Sequence, residues 1–111
     1  MDRYGLTDFD NEIIKDIFKN YPNIKEVIVF GSRATGSFRK ASDIDFAIKG
    51  DNISNIIGNL IADFEESDLI YRVDIVDYGR IKSENLLENV NNFGKIYYQK
   101  MQCFNSLKES P

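Results

Sequence analysis

The chain has 111 residues, 42% of them hydrophobic and 29% charged, which is the make-up of one globular domain with one core. Eighteen acidic against fourteen basic side chains leave a net charge of -4, so direct nucleic-acid binding is not expected, although an acidic protein can hold a nucleotide when metal ions screen the phosphates. There is no histidine, which excludes a Ser-His-Asp triad, a Cys-His pair and a His-ligated zinc site.

The first predicted helix runs from Asp8 to Asn20. Thr7 is its N-cap, and Asp10 stands where a capping-box acid would. Phe9, Ile13, Ile14, Ile17 and Phe18 form its apolar face, and Pro22 stops it. A strand follows from Glu26 to Phe30, and its unbroken apolar run suits a central strand covered on both faces. The polar stretch Gly31–Ser42 reads as a turn with at most a short helix. Asp43 to Ile48 then alternates, with Asp43, Asp45 and Ala47 on one face and Ile44, Phe46 and Ile48 on the other.

After the turn Lys49–Asn52, the residues Ile53, Ile56, Ile57, Leu60, Ile61 and Phe64 mark an amphipathic helix. Leu69–Val76 is the third predicted strand. Ser83 caps a last helix carrying Leu86, Leu87 and Val90, closed near Gly94. Ile96–Tyr98 adds a short edge strand, with at least one of Tyr97 and Tyr98 expected on the last helix and exposed aromatics here or at Phe38 expected to contact a partner. The order predicts an α/β fold, a small mixed β-sheet with helices packed on it. A single domain over residues 1–98 and a polar tail over 99–111 are expected. The lone Cys103 cannot form an internal disulfide. The acidic N-terminus lacks a signal-peptide core, and no apolar stretch reaches the ~20 residues of a membrane span. The expected location is cytoplasmic, without a membrane.

The chemistry concentrates in a few positions. Gly31-Ser32 directly follows an apolar strand, where a glycine lets backbone approach a ligand and Ser32 adds a hydroxyl donor. Ten residues later stands Asp43-Ile44-Asp45. Two carboxylates that close repel by roughly 4 kcal/mol at an effective dielectric of about 20. A divalent cation with a preference for hard oxygen ligands, Mg²⁺ or Mn²⁺, turns that repulsion into binding. The alternative is a solvated acid pair near Arg39 or Lys40. Asp74 lies among β-branched neighbours and is either a third functional acid or a partner of Arg72 on its own face. Asp77 points to the opposite face and reads as a strand-end residue. Any general base must be a carboxylate, lysine or tyrosine.

Gly31-Ser32, ten residues, Asp43-Ile44-Asp45 and a later Asp74 together resemble the DNA polymerase β-like nucleotidyltransferase superfamily. The stretches GSRATGS, SDIDFAI and VDIVD are especially similar to its minimal nucleotidyltransferases, the MNT proteins, over about Ile13 to Tyr98. The resemblance implies a polymerase β palm-like nucleotidyltransferase fold. It implies two Mg²⁺ or Mn²⁺ ions at Asp43 and Asp45, with Asp74 completing the second site and acting as, or positioning, the base. It assigns Gly31 and Ser32 to the β- and γ-phosphates of a nucleoside triphosphate, ATP first. Arg33 either neutralises phosphate charge or lies on the surface. MNT proteins commonly pair with a helical HEPN-type protein, and several act as antitoxins by adenylylating a toxin tyrosine. The same resemblance leaves open a non-catalytic nucleotide-binding module that neutralises its partner sterically, an aminoglycoside-type small-molecule transferase, and homo-oligomerisation.

Overall fold

Thr7 opens the first helix with a reciprocal pair of bonds. Its Oγ1 accepts the Asp10 N–H at 3.0 Å, and the Asp10 carboxylate accepts the Thr7 N–H at 3.0 Å. Both are donors that a helix start otherwise leaves open. The structure, a computed structural model, describes residues 4–100. In chain order it holds α1 (Asp8–Lys19), β1 (Ile24–Phe30), the one-turn α2 (Ser32–Thr35), β2 (Ile44–Gly50), α3 (Ile57–Glu66), β3 (Val73–Asp77), α4 (Glu84–Phe93) and β4 (Lys95–Gln99). Of the expected tail over 99–111, Gln99 instead closes β4 and the Lys100 N–H donates to the Lys25 carbonyl at 2.9 Å, while Cys103 and the rest lie outside the described residues.

The four strands form one mixed sheet in the order β3-β2-β1-β4. β1 is antiparallel to both β2 and β4, and β2 is parallel to β3. On one face Val27, Val29, Ile44, Phe46 and Ile48 pack against Ile14 and Phe18 of α1 and Leu60 and Phe64 of α3. On the other, Ile28, Phe30 and Ala47 pack with Val90 of α4. β1 is therefore covered on both sides, as its continuous apolar run requires. The Tyr21 hydroxyl donates to the Asp63 carboxylate and ties the end of α1 to α3. Burial, then the Asp63 bond and charge, push the Tyr21 hydroxyl up to about 12.

Several details differ from the sequence reading. The third strand starts at Val73 rather than Leu69. Its ladder begins with the Ile44 N–H donating to the Arg72 carbonyl at 2.9 Å, and the residues before Ile44 are turn and loop that offer no strand to pair with. Leu69 and Tyr71 still pack on the main core. The helix expected from Ile53 is split into a 3-10 turn, Ile53–Asn55, and α3 from Ile57. Neither Tyr97 nor Tyr98 packs on the last helix. The β1–β4 register shifts between Val27↔Tyr98 and Ile28↔Ile96, and this bulge turns both tyrosines toward α1. Tyr97 is buried against Tyr4 and Phe46, and Tyr98 lies against Phe18.

Phe18 is fully buried, with ring centroids 5.3 Å from Phe46 and 5.5 Å from Phe64. Phe18→Ala removes the ring that joins α1, α3 and the sheet, and is expected to lower stability by about 3–5 kcal/mol. Urea melts of both proteins measure this. A midpoint within error of the parent would place the core elsewhere.

Candidate active site

The turn after β1 is shaped by a close approach. Gly31 sits at φ 74°, ψ -153°, and a Cβ on it would run into the Asp45 carboxylate. Only glycine lets the backbone lie against that side chain in this conformation. Ser32 then opens α2. Its carbonyl accepts the N–H groups of Gly36 and Ser37, both at 3.0 Å, with Gly36 at φ 85°. The stretch expected to be a turn with at most a short helix is thus one helical turn at the end of the central strand, followed by a loop that leads to β2.

Strand register brings the acids to that turn. Asp45 lies opposite Phe30 on β1 and opposite Asp74 on β3. Residues directly opposite share a face, so Asp45 and Asp74 point to the α4 side, beyond the cluster that α4 covers. Asp43 is in the loop just before β2 rather than on the strand, and it is exposed. The Asp45 carboxyl is pushed up to about 6, first by burial, then by the charges of Asp74 and Asp43. The three acids are thus near enough to repel. As they stand, no three acidic side chains among the described residues are gathered closely enough to hold one ion. Coulomb repulsion reaches further than ligand geometry, so the two observations agree.

Asp74 also meets the Arg72 Nε at 3.5 Å, but both side chains are well exposed, and such a pair contributes little. Asp77 accepts the Gly79 N–H at 3.1 Å and caps the following 3-10 turn. Its neighbours in alternation, Val73 and Ile75, face the main core, so Asp77 is turned away from the Asp45–Asp74 side.

Arg33 occupies neither of the two places its sequence suggested. It is 1% exposed, so it is not a surface residue. Its guanidinium donates to the carbonyls of Tyr4 and Ser42 rather than standing over the Gly31–Ser32 turn. Phe38, expected as an exposed partner contact, is half-buried beside that guanidinium at 5.1 Å. Of the other two candidate contacts, Tyr97 is buried and Tyr98 is half-buried against Phe18. Ile70 was read as part of a strand, yet it is 83% exposed. It lines a cleft of about 520 Å³ with Lys40, Asp43, Tyr71 and Arg72. Its apolar neighbours Leu69 and Tyr71 hid this in the sequence.

The Polymerase beta, Nucleotidyltransferase family profile matches residues 12–102. The chain belongs to the polymerase β nucleotidyltransferase family. The chain is 36% identical over 87 residues to the protein adenylyltransferase MntA of Shewanella oneidensis, covering 78% of this chain and 62% of that protein. It is 37% identical over 68 residues to a probable protein adenylyltransferase MntA of Haemophilus influenzae, covering 60% of each. The chain spans about three fifths of the length of these curated relatives. Among solved structures, a toxin–antitoxin complex with AMP-PNP superposes with TM-score 0.62 at 32% identity, over 84% of this chain and 75% of that one. An MntA–HpeT toxin–antitoxin variant superposes with TM-score 0.60 at 29% identity over the same shares. The small mixed sheet with its helices is thus the polymerase β-type nucleotidyltransferase fold. No helix among the described residues is long and apolar enough to cross a membrane.

The donor set of this site suits Mg²⁺ or Mn²⁺, because carboxylate oxygens are hard ligands and a cation would offset the repulsion that raises Asp45. That repulsion has a stability consequence. Asp45 is pushed up to about 6 in the fold from an ordinary value of 3.8, so between those values the folded state holds the proton more tightly. Stability therefore falls as pH rises through this window, and the full cost is present above about 6. Asp45→Asn removes it. In chelator, the variant is expected to exceed the parent at pH 7 by about 1 kcal/mol, well below the full shift because water screens a half-buried carboxyl, with the gain vanishing near pH 4. Chemical melts across that range provide the measurement, and equal stability at pH 7 would contradict the electrostatic account.

Proposed function

We propose that this chain is a metal-dependent nucleotidyltransferase that moves AMP from ATP to a tyrosine hydroxyl of a helical HEPN-type toxin and acts as its antitoxin. The observation that carries the reading is the register Phe30↔Asp45↔Asp74, which sets two carboxylates side by side with Gly31 packed against one of them. Similarity to MntA adenylyltransferases supports the reaction class, the AMP-PNP complex supports an adenine nucleotide, and the MntA–HpeT complex supports a toxin partner.

The reaction needs three things from the chain. The Gly31–Ser32 turn holds the β- and γ-phosphates, with backbone close to the ligand because Gly31 has no side chain. Asp74 takes the proton of the acceptor hydroxyl, or orients the group that does, because no histidine is present. The acceptor oxygen then bonds to the α-phosphorus, the bond from that phosphorus to the bridging oxygen breaks, and pyrophosphate leaves. Asp43 and Asp45 would hold two Mg²⁺ or Mn²⁺ ions, Asp74 sharing one, which would neutralise phosphate charge and make the acceptor hydroxyl more acidic. Ile70, exposed in the cleft beside Asp43, is suited to contact the protein that brings the acceptor.

Mass spectrometry of the HEPN-type partner after co-expression tests the proposal. Added AMP is expected with the parent chain and none with Asp43→Asn plus Asp45→Asn. A partner that stays unmodified with ATP and Mg²⁺ supplied, yet is still neutralised by the double variant, would establish the steric module instead. Transfer to an aminoglycoside but not to the protein would establish the small-molecule enzyme.

Single substitutions divide the acids. Asp74→Asn is expected to abolish transfer while retaining more nucleotide binding than Asp45→Asn. Asp77→Asn, whose amide oxygen can still accept the Gly79 N–H, should leave turnover within about threefold of the parent and stability within about 0.5 kcal/mol. Transfer assays with equilibrium binding separate the effects, and loss of activity in Asp77→Asn with an active Asp74→Asn would reverse the assignment.

A further inference from the structure

Between the Gly31–Ser32 turn and the Asp43 loop lies a buried cation. Arg33 is 1% exposed. Its Nε and Nη2 both donate to the Ser42 carbonyl, at 3.2 and 2.8 Å. Its Nη1 donates to the Tyr4 carbonyl at 2.8 Å. The guanidinium carbon lies 4.5 Å from the Tyr71 ring centroid and 5.1 Å from that of Phe38. Burying a charge is costly unless it is well hydrogen-bonded, so this arrangement must be held by good geometry.

The place of the Ser42 carbonyl matters. The peptide unit is planar, and its six atoms include the Ser42 carbonyl oxygen and the Cα of Asp43. Anchoring that oxygen therefore restricts where Asp43 can be. The same loop is closed on itself, because Ser42 Oγ accepts the Arg39 N–H at 2.7 Å and the Ser42 N–H donates to the Arg39 carbonyl at 3.0 Å. A closed turn hung from one carbonyl moves as a unit. Arg33 is itself the residue after Ser32, so the same side chain links the turn at Gly31–Ser32 to Asp43. Gly5 completes the enclosure. It sits at φ 76°, and a Cβ there would collide with the Phe38 ring and approach Arg33 Nη1 to 3.1 Å.

We propose that Arg33 is a positioning residue: through the Ser42 carbonyl it sets the Asp43 carboxylate against the Gly31–Ser32 turn, with Tyr4–Gly5 as its anchor. This rests on the nucleotidyl-transfer reading for its purpose, but its geometry is testable without turnover. A lysine cannot replace the guanidinium. It has one nitrogen instead of a planar fork, so it cannot donate to both carbonyls in the same geometry and cannot stack flat between the two rings.

The test compares the parent, Arg33→Lys and Gly5→Ala. Calorimetry measures Mn²⁺ binding in the presence of AMP-PNP, and transfer to the partner is assayed on the same preparations, well below each melting temperature. Both variants are expected to lose Mn²⁺ affinity by about 10- to 100-fold, the range seen when the support of a metal ligand is removed. kcat should fall with it, while KM for the partner protein stays within about twofold of the parent. If Arg33→Lys does not fold, Gly5→Ala decides alone. Folded variant with parental Mn²⁺ affinity would overturn the proposal and leave Arg33 as a purely structural residue. A parent that binds Mn²⁺ and AMP-PNP but transfers nothing would refute the transferase reading, and a loss of binding in the variants would still support the positioning role. A parent that binds neither would overturn both.

Discussion

The pairing of β2 between β1 and β3 is the constraint on which the rest depends. Ile44, Phe46 and Ile48 are fully buried on the face covered by α1 and α3. A slip of one residue would place those three on the other side and drive Asp45 into the core. The hydrophobic cost of that exchange locks the register. The lock in turn sets Asp45 beside Asp74 and against Gly31. The site is thus a by-product of core packing at the end of the sheet, held in place by side chains that have no chemical part in it.

The same lock works against local electrostatics. Burial and two neighbouring carboxylates raise Asp45, and no counter-charge among the described residues reverses the shift. Arg72 approaches Asp74 but is solvent-exposed. A core of this size tolerates a few unfavourable kcal/mol at one edge, because its apolar burial is spread over two clusters on both faces of the sheet. Such local strain is common at sites built to receive a cation or a ligand.

Outside the sheet, order comes from less regular devices. Residues 37–43 have neither helix nor strand, yet the loop is organised by a buried guanidinium, two aromatic rings and a serine-closed turn. At the opposite edge a single bulge in β4 turns both Tyr97 and Tyr98 toward α1, which seals the main core with Tyr4 and Phe18. In the first place a side chain positions the backbone, and in the second a backbone bulge positions the side chains.

Much of this was legible in the chain itself. Thr7 and Asp10 announce the first helix, the unbroken run to Phe30 announces a central strand, and the spacing from Gly31-Ser32 to Asp43-Ile44-Asp45 marks the candidate site. Those signals are local: capping, periodicity and spacing need only neighbouring residues. Tertiary structure alone decided the start of β3 at Val73, the orientation of Tyr97 and Tyr98, the burial of Arg33 and the exposure of Ile70. Each depends on which distant backbone or carbonyl is available as a partner. Arg33 reads as a surface or phosphate-binding residue until the carbonyls of Tyr4 and Ser42 converge on it, and that convergence exists only when the folded chain brings its N-terminal segment to the loop before β2.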